Sequence, residues 1–329
     1  MKTVTVAFLG ACGLAGLGLS GSAQAQTLTL EAVNTAGLAA KPEKGLSPAI
    51  VKAQVLLDRA RFSPGAIDGR DGENVQNAIK AFEKARGLNV DGKLDDELWG
   101  KLNETSADPV LIAYTISEDD VKGPFVDKIP DKLEDQAKLD RLGYASAEEL
   151  LAEKFHMDSD LLKVLNPGKG FDKAGTSIVV ANVDVESSGE PEKVARIEVV
   201  KGEHVLRALA EDGSLIAVYP ASIGSEEKPA PSGTHKVKGI ARNPTYTYNP
   251  EYAFKGVSAK EKFVVKPGPN NPVGSVWIDL SIDSFGIHGT PEPDKVGKAY
   301  SQGCVRLTNW DVAELAKMVR KGAEVTFRD

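Results

Sequence analysis

The chain has 329 residues, 41% hydrophobic and 26% charged, with 32 glycines and 18 prolines that favour turns over long helices. A chain of this length divides into two or three domains. The net charge of −7 argues against a nucleic-acid partner, since such binding depends on neutralising phosphates, and no Lys/Arg run offsets the acidic balance.

The first residues have the pattern of a secretory signal. Lys2 supplies a charge, Val4 to Leu19 is apolar and small, and Ala23-Gln24-Ala25 is an A-x-A cleavage site. The apolar run is Gly-rich and short for a membrane span of roughly 20 residues. Leu9-Gly10-Ala11-Cys12 loosely resembles a lipid-attachment box, but the apolar run continues past Cys12 and the A-x-A site follows it. Residues 1–25 are therefore expected to be a signal peptide, with no transmembrane segment in the mature chain. Cleavage removes one lysine and no acid, and the acidic mature chain without a wall-sorting signal points to the periplasm. Residues 26–45, small, polar and Ala-rich, are expected to be a flexible leader.

Residues 46–103 read as a three-helix module. Ser47-Pro48 gives an N-cap followed by proline at the first helical position, and Ile50, Ala53 and Leu57 recur at helical spacing. A loop, Ser63 to Gly69, leads to a helix with Val75, Ile79 and Phe82 on one face, ending at Arg86-Gly87. A second Asp-Gly loop, Gly87 to Gly92, precedes a short helix with Leu98, Trp99 and Leu102. Singly, Asp-Gly pairs are only turns and a tryptophan is only core. The ordered set of Asp68-Gly69, Ala81-Phe82, Gly87-Leu88, Asp91-Gly92 and Trp99 resembles the peptidoglycan-binding domain type 1 family.

In the middle, residues 110–183, Ser146 caps a helix from Ala147 to Phe155, and Met157-Asp158 leads into another, Leu161 to Leu165, ended by Asn166-Pro167-Gly168. A strand, Ser177 to Val180, follows, and Tyr114-Thr115-Ile116 is a candidate partner strand. This order resembles the latter half of a LysM glycan-binding module, although 117–145 is longer than that family allows. A spacer domain is the alternative reading. Residues 184–193, acidic with Ser187-Ser188-Gly189 and Pro191, read as a linker.

From 194 to 329 the periodicity becomes that of short strands: Ala195 to Val200, His204 to Leu209, a turn at Glu211-Asp212-Gly213-Ser214, then Leu215 to Tyr219. Ser275 to Phe285 is a further alternating run. Thr308 and Asp311 make a capping-box-like start to a helix carrying Val312, Leu315 and Val319 as far as Gly322, and Glu324 to Phe327 closes as a strand. The expected fold is thus multidomain: a helical N-terminal module, an α/β middle, and a mainly-β C-terminal domain with one short helix.

The chemistry centres on cysteine. Cys12 falls in the expected signal, so Cys304 is the one thiol of the mature chain and has no internal disulfide partner. In an oxidising compartment such a thiol is a liability unless it is used. His288 stands sixteen positions upstream. A thiol with an ordinary pKa near 8.5 is mostly protonated at neutral pH, so it needs a histidine or a positive field as a nucleophile. Gly303 allows close backbone approach, and the amides around Gly303 and Cys304 are candidates for an oxyanion site. Arg306 can brace the loop or present a cation to a substrate carboxylate. Tyr246, Tyr248, Trp277 and Trp310 are candidates to line a groove, with core packing the usual alternative; Tyr246 and Trp277 are the substrate-contact candidates. A metal is not expected, because His156, His204 and His235 stand at no metal-ligand spacing from Cys304 and His288.

His288-Gly289-Thr290 followed by Ser301-x-Gly303-Cys304-x-Arg306 resembles the active-site signature of YkuD-type L,D-transpeptidases. The likeness extends over roughly 194–328, through Ile223-Gly224, Pro231-Ser232-Gly233-Thr234 and Pro267 to Gly274. It implies a cysteine nucleophile at Cys304, a histidine base at His288, and the Gly289 carbonyl in place of an acidic third member. Ser301 matches the signature serine and is expected to support the site rather than react. The implied reaction is acyl transfer from a peptidoglycan tetrapeptide stem, with release of D-alanine, to a stem peptide, a protein lysine such as that of an outer-membrane protein, or a free D-amino acid. No cofactor is implied. The alternatives are a non-catalytic wall-binding adaptor and an L,D-carboxypeptidase or endopeptidase on the same scaffold.

Overall fold

A computed structural model describes residue 1 and residues 28–38, 45–184, 192–225, 228–252, 257, 259–301 and 303–329. The expected signal peptide and most of the expected linker lie outside the described residues. Part of the expected flexible leader does not, and there the structure corrects the sequence reading. Residues 28–38 carry a helix, α1 (Leu30–Asn34), capped by the Thr29 hydroxyl. Val33 is fully buried, and the Asn34 side chain donates to the Leu111 carbonyl at 2.9 Å and accepts from its amide at 2.8 Å. Two apolar anchors, Leu28 and Val33, and one amide that mimics a strand partner order a segment whose composition is that of a loose one.

The helical module consists of α2 (Pro48–Arg59), α3 (Glu73–Arg86) and α4 (Asp96–Glu104). Val75, Ile79 and Phe82 are buried, as the spacing predicts. Helix α2 is enclosed on more faces than its expected stripe: Val51, Gln54, Val55 and Leu56 are also buried, because α1, α3 and α4 all pack on it. A buried side chain secures each Asp-Gly loop. Gln54 donates to Asp68 at 2.8 Å and accepts from the Gly69 amide at 2.8 Å. Glu83 accepts from the amides of Asp91 at 3.1 Å and Gly92 at 2.9 Å.

In the middle module β1 (Leu111–Thr115) pairs antiparallel with β2 (Ser177–Ala181). Between them lie α5 (Glu118–Val121), α6 (Leu133–Gln136), α7 (Ala147–Lys154) and α8 (Ser159–Leu165). Asn166 explains the Asn-Pro signal: its side chain accepts from the Val179 amide at 2.7 Å and donates to the Val179 carbonyl at 2.8 Å, clamping β2 to the end of α8.

The C-terminal domain is mainly β. Its strands are β3 (Val194–Val200), β4 (Val205–Leu209), β5 (Leu215–Pro220), β6 (Ser222–Ile223), β7 (Gly233–Arg242), β8 (Tyr246–Tyr248), β9 (Phe263–Val265), β10 (Val276–Leu280), β11 (Gly286–His288) and β12 (Val305–Arg306), then α9 (Asn309–Met318) and β13 (Val319–Arg328). Among the described residues, nine strands form one sheet in the order β5-β4-β3-β13-β7-β10-β11-β12-β6, and β8–β9 is a separate ribbon. Val312, Leu315 and Met318 of α9 join the core cluster of this domain. Two sequence expectations are corrected. The helix ends at Met318, and Val319 to Gly322 belong to β13, which is held between β3 and β7 with a register shift after Val319. The run Ser275 to Phe285 is not one strand: β10 turns at Ser284, which has φ 68°, and returns as β11, so His288 lies on a strand opposite Trp277.

The modules are docked on one another. After α2, the Ser63 amide donates to the Val218 carbonyl at 2.9 Å and the Val218 amide to Arg61 at 2.8 Å, extending the edge of β5. Ile67 bonds likewise to the backbones of His156 and Asp158. Phe62 and Ile67 share an apolar cluster with Met157, Val200, Val205 and Val218. His156 stacks on Trp310 at 5.1 Å and 9°, with its Nδ1 3.1 Å from Asp58.

Two carboxylates on one face of α7 complete the junction. Glu149 accepts from Asn270 at 2.8 Å, and Glu153 accepts from Asn309 at 3.1 and 3.0 Å. Burial first, then the neighbouring Glu149, pushes the Glu153 carboxyl up to about 7 against the Asn309 bond. The folded chain therefore keeps a proton at Glu153 that the unfolded chain releases near its ordinary pKa of 4.5. Stability from this group is lost as pH rises from about 4.5 to about 7. Glu153→Gln removes that titration. Melting temperatures of both proteins at about pH 5 and about pH 8 should fall less for the variant, and equal falls would contradict the assignment.

Candidate active site

Cys304, His288, Arg306, Tyr246 and Trp277, five of the residues singled out in the sequence, line one cavity of about 620 Å³. The sheet brings them together. Strands β11 and β12 are parallel neighbours with His288 opposite Arg306, and β10 places Trp277 opposite His288. The Trp277 ring stacks on the imidazole at 5.6 Å and 18°. Gly286 makes room for it, since a Cβ there would lie 2.5 Å from the indole.

His288 is buried, and its Nδ1 lies 2.6 Å from the Gly289 carbonyl, so Nδ1 carries the proton and Nε2 is left as the unprotonated ring nitrogen. Burial, then the Arg306 cation, lowers the His288 pKa to about 4, against the Gly289 bond. Burial likewise pushes the Cys304 thiol up, opposed by the Gly286 amide and Arg306. At neutral pH the resting pair is therefore thiol and imidazole, not thiolate and imidazolium. The thiol donates to the Ser284 carbonyl at 3.7 Å in this resting arrangement.

The cysteine loop is fixed by its neighbours. The Ser301 hydroxyl accepts from the Gly224 amide at 2.7 Å and donates to the Cys304 carbonyl. The Ser301 amide donates to Gly224 at 3.0 Å. Gly303 has φ 102°, a backbone that side-chain-bearing residues rarely adopt, and a Cβ there would lie 2.8 Å from the Phe285 ring. Burial lowers the Arg306 guanidinium's pKa, and its buried Nε has no hydrogen-bond partner among the described residues. A cation set beside a thiol with an unused donor is suited to an anionic group.

Two aromatic candidates are placed elsewhere. Tyr248 is buried and stacks on Phe263 at 4.7 Å, and Trp310 stacks on His156 at the module junction. Among the described residues, no three His, Cys, Asp or Glu side chains converge as a metal site. The sequence reading missed Leu133, which reaches the cavity from the middle module, and Asn309. Only the excess length of 117–145 hinted at Leu133; Asn309 gave no signal, since an asparagine after a Thr cap is commonplace.

A mainly-β domain with a lone thiol and a neutral imidazole on one cavity has the parts for acyl transfer through sulfur. The model of the "L,D-transpeptidase catalytic domain" family YkuD matches residues 194–326, and that of the "Putative peptidoglycan binding domain" matches residues 47–102. A Bacillus licheniformis protein named "Putative L,D-transpeptidase YkuD" is 31% identical over 54% of this chain and 92% of its own length. The Bacillus subtilis protein of the same name is 49% identical over 18% of this chain and 36% of its own. The Escherichia coli "Probable L,D-transpeptidase ErfK/SrfK" is 33% identical over 36% of this chain and 39% of its own. The chain belongs to the YkuD L,D-transpeptidase family, as an acyltransferase with a peptidoglycan-binding module at its N-terminal side.

Ser301 offers a direct check of the loop. Ser301→Ala leaves the Gly224 amide and the Cys304 carbonyl without their partner, a loss of about 1–3 kcal/mol for a buried polar group. Chemical denaturation should register that loss, together with slower thiol acylation; an unchanged midpoint would show that the hydroxyl is dispensable.

Proposed function

We propose that this protein is an exported, periplasmic L,D-transpeptidase whose reaction runs through Cys304. Cys304 Sγ attacks the carbonyl of the third stem residue, a diaminopimelate, while its proton passes to His288 Nε2. The C–N bond to D-alanine breaks, and the departing amine takes that proton. The thioester is then attacked by an amine, whose proton returns through His288 as the C–S bond breaks and the thiol reforms. The amine of another stem peptide gives a 3→3 cross-link. A protein lysine gives anchoring to the wall, an outer-membrane protein being one acceptor, and a free D-amino acid gives exchange.

The observation that carries this reading is the convergence of Cys304, His288 and Arg306 on one cavity, with Nδ1 of the histidine held by the Gly289 carbonyl. That carbonyl serves as the third member, fixing the imidazole tautomer. Arg306, with its unused donor, meets a substrate carboxylate, and the amides around Gly303 and Cys304 face the developing oxyanion. The helical module holds the enzyme on its polymer and raises local substrate concentration. The order β1, α7, α8, β2 supports a LysM-like reading of the middle module, with 117–145 as an insertion.

Intact mass spectrometry with a tetrapeptide muropeptide tests the chemistry. The expected adduct has the mass of donor minus D-alanine and is lost in Cys304→Ala. Bound muropeptide with neither adduct nor D-alanine release would instead favour a non-catalytic wall-binding adaptor, and hydrolysis without transfer to any added amine would favour a carboxypeptidase.

The pH dependence follows from the histidine. A base with its pKa lowered to about 4 stays unprotonated across the mildly acidic range and is lost only as pH falls through that value. Acylation rates should therefore be level on the acid side down to about pH 5. An acid limb centred near the ordinary histidine value would contradict a neutral, buried base.

A further inference from the structure

The α7 junction reaches the reacting histidine through a short chain of contacts. Asn309 opens α9 and is 5% exposed. Its Oδ1 accepts from the Ser275 amide at 3.0 Å, which fixes which way the carboxamide points. Its Nδ2 donates to the Pro269 carbonyl at 3.2 Å and to both oxygens of Glu153. This carboxamide is wedged against the backbone that holds His288. A Cβ on Gly289 would lie 2.2 Å from Asn309 Oδ1, and one on Gly274 would lie 2.2 Å from the same atom and 2.5 Å from the Gly289 carbonyl carbon. Gly289 is otherwise tied by a 3.3 Å bond from its amide to Val276. Its carbonyl is the group that holds His288 Nδ1.

Glu153 is not part of the catalytic domain. It comes from the middle module, one turn after Glu149, so both carboxylates project from one face of α7. Glu149 takes Asn270, whose Nδ2 also donates to the Gly143 carbonyl at 3.0 Å. The loop Pro267 to Gly274 is thereby gripped by Glu149, while the backbone supporting the histidine is reached through Glu153.

Resting on the reading of Cys304 and His288 as the reacting pair, we propose that Glu153 is a positioning residue for acyl transfer, its carboxyl group orienting Asn309 so that the Gly289 carbonyl holds His288 in register with the thiol. The middle module is then a working part of the active site. Either protonation state of Glu153 leaves an oxygen to accept from Asn309, and so does glutamine. Tyr144, which donates to Glu153 at 3.4 Å, can accept from the glutamine amide instead.

The test uses the full mature chain, with tetrapeptide muropeptide as donor and thioester formation followed by mass spectrometry over time. Glu153→Ala should lower the maximal acylation rate about tenfold or more while the donor concentration for half-maximal rate moves less than about threefold, as misorientation of a reacting group does. Glu153→Gln should restore the rate to within about threefold of the parent. Glu149→Ala cuts the neighbouring contact of the same helix and reports on loosened docking alone. It should lower the melting temperature yet leave the maximal rate within about threefold. Equal losses in Glu149→Ala and Glu153→Ala, or a loss in Glu153→Ala that matches its unfolded fraction, would overturn the positioning role. If the parent itself forms no adduct, and so matches Cys304→Ala, the catalytic reading fails and takes the proposal with it.

Discussion

A buried imidazole keeps a single tautomer only if one of its nitrogens is given a fixed partner, and the surroundings of His288 meet that requirement. His288 Nδ1 is held by the Gly289 carbonyl at 2.6 Å. A backbone carbonyl is a neutral partner: it sets the tautomer without contributing the charge that would raise the imidazole's pKa. Burial, with the Arg306 cation adding to it, keeps the histidine neutral, and burial keeps the thiol neutral against that same cation. The consequence is a site that waits as an uncharged pair. In the proposed reaction, charge separates only when an acyl carbonyl is present to receive the sulfur. An uncharged resting thiol is also the less oxidisable form, since the thiolate is the form that oxidants attack.

A carbonyl as orienting group transfers the burden of positioning from a side chain to the backbone, and a backbone must be held by what surrounds it. β10 and β11 supply part of that support through their pairing, with Trp277 laid across the ring. The rest comes from the start of α9, which lies where the middle module docks. Backbone bonds to both Val218 and His156 make the helical module continuous with the other two. The junction is polar as well as apolar, with Asp58 on His156 and the α7 carboxylates on asparagines. Polar pairs of this kind specify one docking geometry, because a shifted arrangement leaves buried donors unsatisfied.

How much of this was legible in the chain depended on the range over which each feature is determined. Local periodicity placed α2, α3, α7 and the first meander strands, and the turn chemistry of Asp68-Gly69 and Asp91-Gly92 was read correctly without revealing Gln54 and Glu83 behind it. The cysteine, histidine and arginine were legible because their spacing and flanking glycines are local. Failures came where tertiary pairing overrode local pattern. Val319 has helical spacing with Val312 and Leu315, yet its backbone is claimed by β3. Ser275 to Phe285 alternates like one strand but folds back at Ser284. Trp310 and Tyr248 have the look of groove residues and are used for packing. Leu133 and Asn309 matter through partners about 110 to 170 residues away in the chain, a separation over which single-sequence patterns carry nothing.

The position of Leu133 bears on what the insertion 117–145 is for. The arrangement of β1, α7, α8 and β2 closes without it, since β1 and β2 pair directly and Asn166 secures the second strand. The segment 117–145 instead places Leu133 on the cavity, and α6 packs beside β9. Leu142 of the same segment is bonded to the backbones of Pro267 and Asn270, and a Cβ on Gly268 would collide with its carbonyl at 1.9 Å, so the contact is a tight backbone-to-backbone one. The cavity wall is thus assembled from two modules, and the volume open to a donor or an acceptor is set partly by a segment that carries none of the reacting groups.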